Sequence, residues 1–119
     1  MGNLLAIDFD GVLHRPTRAR SGFASPQGQA VTGAAKAVRA LSVDWRLVVH
    51  TCRAASPEGR EGVLRWLAAQ KLDDLFEDVT AMKPVATAYI DDRSIRFTNW
   101  ADVLNTFDEG RRWEKGEVV

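Results

Sequence analysis

The sequence predicts a single α/β domain built on a central parallel sheet. Three observations predict it. Short apolar runs rich in Leu, Val and Ile recur along the chain, as buried strands of a parallel sheet do. Helical periodicity fills the stretches between them, so strand and helix alternate in the form of an open sheet covered by helices on both faces. The polar residues with chemical potential fall at the C-terminal ends of the runs, where such sheets bind ligands.

Leu4-Leu5-Ala6-Ile7, closing on Asp8-Phe9-Asp10-Gly11, reads as a first buried strand ended by a glycine. Residues 14 to 29 are rich in Arg, Ser, Gly and Pro without periodicity, and are expected to form a loop or short hairpin. From Thr32 the pattern turns helical, with Ala35, Val38 and Leu41 on one face. Trp45 to His50 is a second strand centred on Leu47-Val48-Val49. Ser56-Pro57 is a helix start, with Ser as N-cap and Pro at the first helical position. Val63, Leu64, Trp66 and Leu67 supply the stripe of that helix, expected to run to about Lys71. Phe76 to Ala81 and Ala86 to Ile90 are short third and fourth strands. Asn99 to Phe107 fits a last helix, and the polar residues from about 108 to 119 a frayed tail.

A chain of 119 residues buries about two-thirds of its unfolded surface, enough for one domain without a disulfide or structural metal. Sixteen basic residues balance sixteen acidic ones, so no overall field draws the protein to nucleic acid or a membrane. Cys52 is the only cysteine, which excludes an internal disulfide and a cysteine-based zinc cluster. The N-terminus lacks the pattern of a secretory signal, and no apolar run approaches a bilayer span, so the expected location is cytoplasmic.

Four polar clusters stand at the predicted strand ends: Asp8 with Asp10, Thr51 followed by Cys52-Arg53, Lys83, and Asp91-Asp92. Residues two apart in a strand share a side, so Asp8 and Asp10 are expected to face one pocket while Phe9 packs elsewhere. Converging carboxylates repel one another unless protonated or joined by a cation, and oxygen ligands favour magnesium or calcium over zinc. Thr51 and Lys83 add a hydroxyl donor and a positive charge suited to an anionic group beside the metal. Each piece alone has a plainer explanation: a turn or cap for the Asp pairs, a backbone bond for Thr51, a solvated surface for Lys83. Their joint placement at strand ends is what points to a site.

Ile7-Asp8-Phe9-Asp10-Gly11-Val12-Leu13 resembles the first motif of the haloacid dehalogenase superfamily. Val48-Val49-His50-Thr51 resembles its second motif, Lys83-Pro84 its third and Tyr89-Ile90-Asp91-Asp92 its fourth, in order, over residues 4 to about 107. The resemblance implies a three-layer Rossmannoid core and a magnesium-dependent phosphatase. Asp8 would be the nucleophile forming an aspartyl-phosphate, and Asp10 the acid and base. Asp8, the backbone carbonyl of Asp10 and Asp91 would hold the metal, with Asp92 in support. Thr51 and Lys83 would bind the phosphoryl oxygens. Arg53 would touch the phosphate or the substrate, or else form a surface ion pair, and Cys52 is expected to be packing.

The two positions where relatives carry a cap domain are filled by the expected flap, helices and strands, so no cap domain is expected. Capless members of that superfamily tend to act on large or extended substrates, such as a polynucleotide end, or borrow a neighbouring subunit as a lid. Arg15, Arg18 and Arg20 lie in the flap segment and form a local positive patch for a nucleotide or nucleic acid, or a solvated loop. Other functions of the pattern are a phosphotransferase, a non-catalytic binding module and a phospho-receiver domain. The last would place its acceptor Asp at the third strand, before the Thr and Lys, whereas here Asp-x-Asp comes first.

Overall fold

The computed structural model describes residues 3–17, 25–91 and 95–109. Five parallel strands lie in the order β3-β2-β1-β4-β5: β1 (Leu4–Asp8), β2 (Arg46–His50), β3 (Asp78–Thr80), β4 (Ala88–Asp91) and β5 (Ile95–Arg96). Among the described residues three α-helices accompany them: α1 (Ala34–Leu41), α2 (Pro57–Ala69) and α3 (Trp100–Glu109). Short 3₁₀ turns at Cys52–Ala55 and Asp73–Leu75 flank α2. No helix among the described residues is long and apolar enough to cross a membrane.

The central strand β1 is apolar between its ends, with Leu5, Ala6 and Ile7 at most 2% exposed, because it is paired on both edges and covered on both faces. Its register sets Asp8 against His50 of β2 and Ile7 against Ile90 of β4, so Asp8 and Asp91 are level one step further on. The chain leaves β1 toward β2 and leaves β4 toward β5, in opposite directions across the sheet. That reversal is the topological switch point, where the flanking connections diverge and leave a crevice.

The helices follow their local chemistry. Ser56 caps α2, its hydroxyl accepting the Gly59 N–H at 3.0 Å, with Pro57 at the first helical position. Val63, Trp66 and Leu67 are its buried stripe, Leu64 is half-buried, and the helix stops at Ala69. Helix α1 begins at Ala34 rather than Thr32 and buries Ala34, Ala37, Val38 and Leu41, while Ala35 is only half-buried. Helix α3 contacts α1, and Trp45 meets Phe107 edge-on at 5.3 Å.

Two indole N–H groups tie the segment after β1 to the helices. Trp100 donates to the Val12 carbonyl at 3.0 Å, and Trp66 to the Gly28 carbonyl at 2.8 Å. Between them the expected hairpin is present in its described part: His14 bridges Ala30 antiparallel, and Arg15 N–H donates to Gln29 O at 2.8 Å. Strand β5 is an element that its two residues do not announce.

Candidate active site

The turn leaving β1 is folded around one carbonyl. Phe9 O accepts N–H bonds from Val12, Leu13 and His14 at 3.3, 2.9 and 3.0 Å, and Gly11 at its apex has a φ of +81°, a left-handed conformation that glycine adopts without strain. Phe9 and His14, at 0% and 1% exposure, stack with centroids 4.9 Å apart, and both meet the Trp66 ring edge-on. Phe9 is therefore buried beneath the site, its ring under both His14 and, at 5.8 Å, the Arg53 guanidinium.

Asp10 is held by two partners. Arg53 donates from Nε to Oδ2 at 2.7 Å and from Nη2 to Oδ1 at 3.1 Å, while His14 Nδ1 lies 2.9 Å from Oδ1. The far nitrogen of His14, Nε2, accepts the Gly28 backbone N–H at 2.8 Å. A nitrogen that accepts carries no proton, so the imidazole is the neutral Nδ1–H tautomer and donates to Asp10. Burial pushes the Asp10 carboxyl up, but the hydrogen bonds from Arg53 and then His14, with the Arg53 charge, outweigh it and hold the group below the ordinary value of 3.8.

Asp8 goes the other way. Burial pushes its carboxyl above 3.8; the bond from Phe9 N–H at 2.8 Å opposes this, and the nearby charges of Asp10 and Asp91 add to the rise, with His50 a smaller counterweight. Carboxylates close enough to repel are the donor set that a hard divalent cation relieves. The fitting donors are the side chains of Asp8 and Asp91 with the backbone carbonyl of Asp10. Among the described residues, no group of three or more His, Cys, Asp or Glu side chains is arranged to hold a metal ion. The Asp10 carboxylate itself is turned to Arg53 and His14, and Asp92 lies outside the described residues.

Thr51 follows β2 and is buried, its N–H donating to Thr80 O at 2.9 Å. Its hydroxyl oxygen accepts the Arg53 N–H at 3.3 Å, which caps the 3₁₀ turn and leaves its own O–H to donate. Arg53 is 9% exposed and pairs with Asp10, whose side chain is 30% exposed, so the ion pair is partly buried and not a surface pair. Cys52 is exposed, not packed: the turn sends Thr51 and Arg53 inward and the residue between them out. Lys83 stands exposed in the segment after β3, its Nζ 4.4 Å from the centre of the Tyr89 ring, and no ion pair links it to Asp8, Asp10 or Asp91. Tyr89 is fixed by donating its hydroxyl to Pro84 O. Arg15 donates to the Thr32 hydroxyl at 2.9 Å, while Arg18 and Arg20 lie outside the described residues.

The structure thus brings Asp8, Asp10, Thr51, Arg53 and Asp91 to the ends of three adjacent strands. It adds His14 and His50, which the sequence did not mark; His50 shows itself only through its register with Asp8, and His14 only through the fold of the turn. A separate pocket of about 340 Å³, lined by Ser25, Pro57, Glu58, Glu61 and Arg65, contains none of these carboxylates. No family model matches the chain, and no curated protein or solved structure matches it either.

Proposed function

We propose that this chain is a magnesium-dependent phosphomonoester hydrolase on a three-layer Rossmannoid core of haloacid dehalogenase type. One observation carries the proposal: Asp8 and Asp91 end the two strands at the switch point, close enough for their charges to interact, with Asp10 and Thr51 beside them. A bound magnesium, held by Asp8, Asp91 and the Asp10 carbonyl, would neutralise the phosphate and offset the repulsion among the carboxylates.

A carboxylate oxygen of Asp8 attacks phosphorus and the bond to the leaving oxygen breaks; an aryloxide leaves without a proton, whereas an alkoxide takes one from Asp10 only when that carboxyl is protonated. Water then attacks the aspartyl-phosphate, giving its proton to Asp10, and inorganic phosphate leaves. Thr51 O–H and Lys83 bind phosphoryl oxygens. Asp10 as it stands is ionised by Arg53 and His14, the state required for the second step. Substrates whose leaving group needs no proton, such as aryl phosphates, are therefore the favoured probes.

The test is release of phosphate from a panel of aryl, sugar, nucleotide and oligonucleotide monophosphates with magnesium and with chelator. Labelling of Asp8 should be trapped by rapid acid quench and located by mass spectrometry. A phosphoryl group found on another residue, or hydrolysis undiminished in chelator, would overturn the proposal.

A further inference from the structure

The His14–Asp10 contact is more than packing. The carboxylate of Asp10 has about four lone-pair positions. Three are taken, two on Oδ1 by His14 and Arg53 Nη2 and one on Oδ2 by Arg53 Nε. One lone pair of Oδ2 remains for proton exchange. The donor on His14 is fixed from behind, because the Gly28 N–H occupies Nε2 and the ring is stacked on Phe9 within a nearly water-free environment. Gly28 is itself required there, since a Cβ at that position would fall 1.7 Å from the Arg15 carbonyl oxygen and 2.8 Å from His14 Nε2.

We infer that His14 is a positioning residue of the active site, acting through Asp10: its Nδ1–H sets the plane of the carboxylate so that the open lone pair of Oδ2 meets the leaving group and the attacking water. The inference rests on the phosphatase proposal. It predicts that loss of the Nδ1 donor slows turnover without weakening substrate binding, because the ring touches Asp10 and not the substrate.

Two amide substitutions separate this role from a merely structural one. In His14→Gln the side-chain oxygen reaches the Nε2 position and still accepts from Gly28, while the donor to Asp10 is lost. In His14→Asn the amide nitrogen replaces Nδ1 and still donates to Asp10, while the Gly28 bond is lost. The expected result is a folded His14→Gln protein with kcat on an aryl phosphate reduced about ten- to a hundredfold at nearly unchanged KM. His14→Asn should recover most of kcat despite a lower melting temperature. The 13Cγ resonance of Asp10 should move in His14→Gln and stay near its wild-type position in His14→Asn. Wild-type kcat in His14→Gln, or equal losses in both folded variants, would overturn the positioning role and leave the phosphatase proposal standing. A wild-type protein inactive on every phosphomonoester would overturn both.

Discussion

At the end of β1, Asp10 is gripped by side chains that are themselves buried, whereas after β3 the Lys83 ammonium stands exposed over a tyrosine ring. Both belong to one proposed site, yet they are stabilised by different physics. The Asp10 half is a low-dielectric network, where each bond is strong and each broken bond leaves a costly orphan. The Lys83 half is a solvent-facing charge with a cation–π contact of about 0.5–1 kcal/mol. Under the proposed function the difference would divide the work: geometry set in advance around Asp10, and charge offered to a phosphoryl group from Lys83.

The largest expected effect comes from Asp8, at the boundary of the buried half. Asp8→Asn should lower turnover by more than about a thousandfold, since the amide is a poor nucleophile. Because burial and the Asp10 and Asp91 charges raise the Asp8 carboxyl above 3.8, the folded state favours its protonated form, and ionising it costs stability as pH rises through the raised value. The neutral variant should therefore unfold at higher urea than wild type at pH 7. An inactive and less stable Asp8→Asn would contradict the electrostatic account.

Next is Arg53→Ala, which leaves Asp10 with His14 alone and should cost about 2–3 kcal/mol in urea unfolding. Lys83→Ala should cost less than about 1 kcal/mol while raising KM for an aryl phosphate. Equal destabilisation by the two would erase the contrast between the halves. A third effect is confined to acid. The Asp10 carboxyl lies below its unfolded value of 3.8, so its contribution is present above that pH and lost as pH falls through the lowered folded value. Wild type should lose stability more steeply than Asp10→Asn as pH falls below the ordinary carboxyl value of 3.8, and parallel curves would refute this. The smallest is Tyr89→Phe, which removes the bond to Pro84 O and should cost about 1 kcal/mol, with Lys83 still over a ring.

Much of the fold was legible because it depends on local signals. Ser56-Pro57 starts a helix whatever surrounds it, and the run before Asp8 has no alternative to a buried strand. The expected face of α1 packs on the core, Val38 and Leu41 fully and Ala35 in part, while the four alanines weigh alike in any periodicity and leave Ala34 and Ala37 unmarked; the helix starts at Ala34, with Gly33 as its N-cap. Strand β5 is two residues long and has no period to detect. At the site, the strand ends placed Asp8, Thr51 and Asp91 correctly. The bidentate bond from Arg53 to Asp10 spans 43 residues, and that from Gly28 to His14 spans 14; neither leaves a mark in spacing. Cys52 was misjudged for the same reason, since its exposure depends on a 3₁₀ turn set by Thr51.

The two indole bonds have a consequence for how such a protein can diversify. Trp100 on Val12 and Trp66 on Gly28 fasten both ends of the stretch that follows β1, each to a different helix. Lengthening a stretch whose ends are already fixed costs little, about 0.6 kcal/mol for each doubling. A single methyl group at Gly28, one of the fastened ends, would by contrast collide with the Arg15 backbone. Sequence change is thus most tightly restricted at the fastened ends themselves.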